Sequence, residues 1–165
     1  MKLAEIKVSY STVLEDKIKI TGSDQIYSIA LEHWDMNTIE FQEEAKMILL
    51  NRDNSILGIY SLSKGGLANT TLDIKIVLSV ALKSHSSSIV LLHNHPSGNL
   101  NPSESDIKIT KRIHLACQLL DLKLLDHLII TKLGYFSFAR EGLFDFSKIG
   151  TTYNHYSIML GVFEN

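Results

Sequence analysis

Cysteine, proline and tryptophan are almost missing from this 165-residue chain, with one, two and one copies. The lone cysteine, Cys117, excludes an intramolecular disulfide and fits a reducing compartment. No apolar run approaches the ~20 residues that a membrane helix needs. The stretch Met1-Lys2-Leu3-Ala4-Glu5-Ile6-Lys7 lacks the apolar core of a secretory signal. A soluble, cytoplasmic protein is therefore expected, with no membrane partner. Charge of one sign is also lacking. A net charge of −2 gives no general attraction to nucleic acid and leaves only local basic patches to consider. There are no internal repeats and no low-complexity segments.

What remains is ordinary globular material, 45% hydrophobic and 21% charged, long enough to bury a core as one domain without staples. Loose alternation through Ile6, Val8, Tyr10, Ile18 and Ile20 suggests one or two short strands. Ile26, Ile29, Ala30 and Trp34 have helical spacing, which predicts a helix over about 24–35, with Trp34 packed inside. From Ile39 the period becomes two. A hairpin follows, with strands from Glu43 to Leu50 and from Ile56 to Leu62 around the turn Asn51-Arg52-Asp53-Asn54. Leu72 to Ser84 reads as a largely buried helix. Ile89-Val90-Leu91-Leu92 reads as a central strand covered on both faces. A helix is expected from about Ser103 to Leu120, with Asp106, Ile109, Ile113, Ala116/Cys117 and Leu120 facing the core and Lys108, Lys111 and Arg112 forming a solvated basic edge. Lys123–Thr131 and Tyr135–Phe138 read as strands. The tail from about Ser147 has no clear period.

Both prolines fall in one stretch, His93-Asn94-His95-Pro96-Ser97-Gly98-Asn99-Leu100-Asn101-Pro102-Ser103-Glu104-Ser105-Asp106. Alternate strand residues point the same way, so His93 and His95 can present two imidazoles to one point while Asn94 faces away. Pro96 ends the ladder because it has no N–H. Ser103 is a good helix cap with Asp106 three residues on, a variant of the capping box. Asp106 then starts the inward stripe of that helix. Two imidazoles and one carboxylate suit Zn²⁺ with a fourth tetrahedral position left for water, the pattern of a catalytic site. Hydrolysis also needs a carboxylate off the metal to move the proton, and Glu43 and Glu44 are the candidates. The Ser103 hydroxyl is placed to support an oxyanion, as well as to cap the helix. His127 reads as a packed, hydrogen-bonded strand residue, with a place behind the metal ligands as the alternative. His33, His85, His114 and His155 are expected at the surface. Cys117 reads as a small buried residue.

The string His93-x-His95-Pro96, six residues, Ser103-x-x-Asp106 resembles the full JAMM (JAB1/MPN/Mov34 metalloenzyme) signature. His93-Asn94-His95-Pro96-Ser97-Gly98 and Leu125-Asp126-His127-Leu128-Ile129-Ile130 are similar to the bacterial RadC-like JAB-domain proteins. The similarity runs from about Thr38 to Phe144. It divides the chain into an N-terminal extension at 1–37, a JAB (MPN) domain at 38–146 and a tail at 147–165. The resemblance implies an α/β fold of JAB/MPN type, cytidine-deaminase-like, with a mixed β-sheet flanked by helices. It implies zinc on His93, His95 and Asp106, and a glutamate general base on an early strand. Setting Leu50-Asn51 on the family's Leu-Asp matches that base to Glu43; a shift of one residue would make it Glu44. Ala45 stands where the family usually has Phe. The activity implied is metal-dependent hydrolysis of a peptide or isopeptide bond, so the implied partner is a peptide or protein substrate. A homodimer stays open. RadC-like proteins often carry an N-terminal helix-hairpin-helix DNA-binding domain, and residues 1–37 lack its glycine-hairpin pattern. The rival reading is a DNA-associated accessory protein, linked to DNA repair, whose metal site is structural or vestigial. Nucleobase deamination would need a His-x-Glu and a Pro-Cys-x-x-Cys arrangement, and one cysteine cannot supply it.

Overall fold

The structure, a computed structural model, describes residues 17–65 and 72–144 with the single positions 9 and 11. The strands expected around Ile6, Val8 and Tyr10, the tail from 147 and His155 lie outside the described residues. The described elements are helix α1 (Ser23–Glu32), strands β1 (Glu44–Leu50) and β2 (Ile56–Lys64), helix α2 (Ile74–Lys83), strand β3 (Ser88–Asn94), helix α3 (Glu104–Leu119) and strands β4 (Lys123–Ile130) and β5 (Tyr135–Ser137). The expected elements between residues 24 and 138 all form, with ends shifted by up to three residues, the largest at the end of α1. Residues 18–20 form only an isolated bridge, Lys19 to Ser55, beside the β1–β2 turn.

The strands make one mixed sheet in the order β2-β1-β3-β4-β5. β1 is antiparallel to both β2 and β3, and β5 is antiparallel to β4. β3 and β4 run parallel, joined through α3, as a parallel pair requires a crossover. Every residue of β3 is buried, which fits its continuous apolar run in the middle of the sheet.

Side-chain alternation splits the core into two layers. Ala45, Met47, Leu49, Ile89 and Leu91 meet Val77 and Ala81 of α2 and Ile113 and Cys117 of α3 on one face. Ile48, Leu50, Val90, Leu92, Leu128 and Ile130 meet Ile26 and Ala30 of α1, with Trp34, on the other. α1 is thus the cover of one whole face. Trp34 is buried, as expected. Cys117 is buried too, and burial pushes its thiol up to about 11, so it is an inert packing residue.

Two helices differ from expectation. α2 buries only Val77 and Ala81, and leaves Ile76 and Leu82 exposed, because it lies on one face of the sheet and is not enclosed. The inward stripe of α3 runs through Thr110, Ile113 and Cys117, while Leu120 is an exposed C-cap residue. Thr110 is fully buried, so the helix is turned slightly from the purely apolar stripe to bring a hydroxyl inside.

Asp126 ties the α1 face together. Its carboxylate, 2% exposed, accepts from the hydroxyls of Ser23 (2.9 Å) and Ser137 (2.6 Å) and from the N–H groups of His127 (2.8 Å) and Ala139 (3.0 Å). Removing it strands four donors. Asp126→Ala is expected to lower unfolding stability by about 3 kcal/mol, read as a shift in denaturation midpoint at constant slope; a loss under about 0.5 kcal/mol would contradict this role.

Candidate metal centre

The face of β3 that looks towards α3 carries His93 at its C-terminal end, and Ala45 of β1 pairs across from it. Glu43 lies two residues before Ala45 and so follows the same side of the chain. Glu44 lies on the other. Its buried carboxylate meets Lys64 Nζ at 3.1 Å and accepts from the Thr38 hydroxyl at 3.3 Å. Donor atoms of Glu43, His93 and His95 all lie within 4.8 Å of one another.

Asn94, on the opposite side from the histidines, fixes the segment that delivers Glu43. Its amide donates to the carbonyls of Ile39 (2.6 Å) and Gln42 (2.8 Å), and its Oδ1 accepts from Glu44 N–H (2.7 Å). Glu43 is bracketed by two of those three bonds. Asn94 thus faces away from the histidines, as its alternation predicts, and also grips residues 39–44.

Beyond β3 the chain turns. His95 N–H donates to the Ile130 carbonyl at 3.1 Å. Gly98 takes φ +77°, a conformation that favours glycine, and its N–H returns to the His95 carbonyl at 3.0 Å. That turn brings the Asn99 carbonyl to His95 Nδ1 at 2.7 Å. A carbonyl only accepts, so Nδ1 carries a proton and the neutral ring has its lone pair on Nε2.

α3 begins with the expected capping box. Ser103 N–H and Oγ–H both donate to Asp106 Oδ2, at 2.7 and 2.6 Å, and Asp106 N–H donates to Ser103 Oγ at 3.2 Å. The cap therefore aims the Asp106 carboxylate back at the histidines. Oδ1 lies 3.4 Å from His93 Nε2, and Oδ2 lies 3.5 Å from His95 Nε2. The two Nε2 atoms are 3.0 Å apart.

Two of these separations are those around a small cation. Donors at about 2.0–2.2 Å around a tetrahedral ion stand roughly 3.3–3.6 Å from one another, which each Asp106 oxygen matches to one imidazole, while the 3.0 Å between the two Nε2 atoms is shorter. The electrostatics ask for the same thing. Burial above all pulls His93 down to about 4, with Asp106 opposing and His95 adding to the fall, so His93 is neutral. Burial also pulls on His95, but the Asp106 carboxylate and the Asn99 carbonyl outweigh it and raise its pKa. Asp106 is lowered well below the usual carboxylate range although burial opposes this, through His95, His93 and Ser103. The pocket holds an ionised carboxylate against two imidazoles, and a single positive charge between them satisfies all three.

The outer edge of the site is built by His127 and Thr110. His127 is fully buried on β4, with Nε2 2.8 Å from His93 Nδ1 and Nδ1 2.6 Å from the Thr110 hydroxyl. It is packed and hydrogen-bonded, as expected, but its partner is a histidine of the site. The only hints were its place in Leu125-Asp126-His127 and the i, i+4 spacing from Asp106 to Thr110. His33 and His85 are exposed, whereas His114 is half-buried and stacked on Phe144 at 5.3 Å.

A mixed sheet flanked by helices, with a strand-end His-x-His beside a helix-start aspartate, defines the JAB/MPN class of domain. A family profile described as RadC-like JAB domain matches residues 20–143, and the chain belongs to this family. A UPF0758 protein of Flavobacterium johnsoniae is 47% identical over 102 residues, 62% of this chain and 44% of that relative. Its counterpart in Porphyromonas gingivalis is 47% identical over 103 residues, 62% of this chain and 45% of the relative. A UPF0758 protein of Neisseria meningitidis serogroup B is 33% identical over 130 residues, 79% and 56% of the two chains. The chain spans about half the length of these curated relatives. No helix among the described residues is long and apolar enough to cross a membrane.

Two donor sets share the histidines, one completed by Asp106 and one by Glu43. Metal analysis after gel filtration separates them. Asp106→Ala is expected to lose bound metal, and Glu43→Gln to keep about one equivalent. Metal retained by Asp106→Ala and lost by Glu43→Gln would make Glu43 the ligand.

Proposed function

We propose that the chain is a zinc-dependent hydrolase of the JAMM type that cleaves a peptide or isopeptide bond, with His93, His95 and Asp106 as ligands and Glu43 as general base. The observation that carries this reading is the convergence of Glu43, His93 and His95 within 4.8 Å, with Asp106 on the same two nitrogens. Bound zinc supplies Lewis-acid polarisation of a carbonyl and makes nearby water more acidic.

The chain's own groups do the rest. Glu43 accepts the proton of the attacking water and returns it to the leaving amine. Asn94 holds the backbone on both sides of Glu43, so the carboxylate approaches from a fixed direction. Glu44 is poorly suited to that task, because its carboxylate is committed to Lys64 and Thr38. The Ser103 hydroxyl proton rests on Asp106. Turning it towards the substrate would stabilise the oxyanion, while Ser103 N–H keeps its hold on Asp106.

The rival reading, a DNA-associated accessory protein with a structural or vestigial metal site, has the exposed Lys108 and Arg112 of α3 in its favour. Domain limits at 1–37, 38–146 and 147–165 remain part of the proposal, although α1 covers one face of the sheet and the family match already begins at residue 20.

A peptide library incubated with the zinc-loaded chain and read by mass spectrometry tests the function. Glu43→Gln is expected to cut turnover by roughly 10²–10⁴-fold with zinc retained, and Glu44→Gln to leave it within a few-fold. Ser103→Ala is expected to lose on the order of 10²-fold in kcat. Activity that survives Glu43→Gln and disappears in Glu44→Gln would reverse the assignment. An intact library, together with a salt-sensitive shift of DNA by the same chain, would favour the rival.

A further inference from the structure

The hydrogen bonds behind His93 form a chain whose polarity can be worked out. The Thr110 hydroxyl lies 2.5 Å from the main-chain carbonyl of Asp106, one helical turn earlier. A carbonyl cannot donate, so the one hydroxyl proton lies in that contact; the reverse polarity would set two oxygen lone-pair regions 2.5 Å apart with no proton between them. Thr110 Oγ1 must then accept from His127 Nδ1, 2.6 Å away. His127 has no solvent exposure, and its two ring nitrogens are taken by the Thr110 hydroxyl and by His93 with no carboxylate on either, so nothing there balances a charged ring and the ring is neutral. Its Nε2 therefore carries a lone pair and accepts from His93 Nδ1–H at 2.8 Å. The remaining lone pair of His93 is on Nε2, the atom that faces His95 and Asp106.

We propose that Thr110 and His127 are positioning residues that lock His93 in the Nδ1–H tautomer and aim its Nε2 lone pair into the metal site. The lock is closed through three elements. It starts at the main chain of Asp106 on α3, crosses Thr110 to His127 on β4, and ends on His93 at the tip of β3. The donors from α3 and β3 are thereby coupled through a strand that supplies no donor itself. The His127 ring has little freedom to turn, since it stacks on Phe138 with centroids 5.0 Å apart and planes 16° off parallel. An outer partner of this kind raises the basicity of a ligand imidazole and removes the cost of choosing its tautomer on binding. The inference rests on the reading of His93 as a ligand, but the tautomer itself is a property of the metal-free chain.

The test uses the full chain, labelled with ¹⁵N and stripped of metal with a chelator. In the wild type, His93 and His127 are both expected to carry the proton on Nδ1 and a bare Nε2. Thr110→Val keeps the side-chain shape and removes the bridge. His93 should then populate both tautomers, and zinc affinity, measured by competition with a chromophoric chelator, should fall roughly 10-fold to 100-fold. Thr110→Ser restores the hydroxyl and should restore both readouts. A wild-type His93 protonated on Nε2 would overturn the proposal, and this outcome needs no variant to fold. So would a folded Thr110→Val chain with tautomer and affinity unchanged. A wild-type chain with the expected tautomer but no zinc affinity would instead refute the metal centre and leave the lock in place.

Discussion

Two imidazole nitrogens, 3.0 Å apart and backed by an ionised carboxylate, set the terms for the whole site. Two neutral rings with bare nitrogens turned towards each other repel. One positive charge between them removes the conflict and satisfies Asp106 as well. The raised pKa of His95, set by the Asp106 carboxylate and the Asn99 carbonyl against burial, expresses that demand as a proton, and a metal ion could meet it in the same place. The capping box, the glycine turn and the buried His127 all serve to keep these three groups from relaxing apart.

The fold provides rigidity where the site needs it. β3 is buried along its full length and paired on both sides, so His93 has almost no freedom. The start of α3 is fixed by reciprocal bonds between Ser103 and Asp106. The segment before β1 has no ladder partners of its own around Ile39–Gln42, and the Asn94 amide takes their place. One strand end thus works in two directions. His93 and His95 face α3, and Asn94 between them holds the glutamates.

Much of this was legible in the sequence, for identifiable reasons. His93, His95 and Asp106 could be found because strand alternation and the capping box each have a fixed spacing, and the intervening loop is short. The two layers of the sheet followed from period two. Thr110 and His127 could not be placed in the same way. His127 depends on the parallel register that sets Leu91 against it, a pairing joined across α3 that leaves no local signal. Thr110 stands outside the stripe read from the sequence, yet it is fully buried on the inward face of α3. Which of Glu43 and Glu44 shares the histidines' face also needed three dimensions, because alternation separates the two but does not say which face holds the histidines. Glu44 is drawn away by Lys64 across the β1–β2 pair, and only the strand register reveals that.

X-ray absorption at the zinc edge of the loaded chain tests the central claim most directly. The account predicts a four-coordinate shell of nitrogen and oxygen at about 2.0–2.1 Å, with the outer-ring scattering of two imidazoles. His93→Ala should remove one of the two. A six-coordinate all-oxygen shell, or a wild-type spectrum without imidazole scattering, would contradict it.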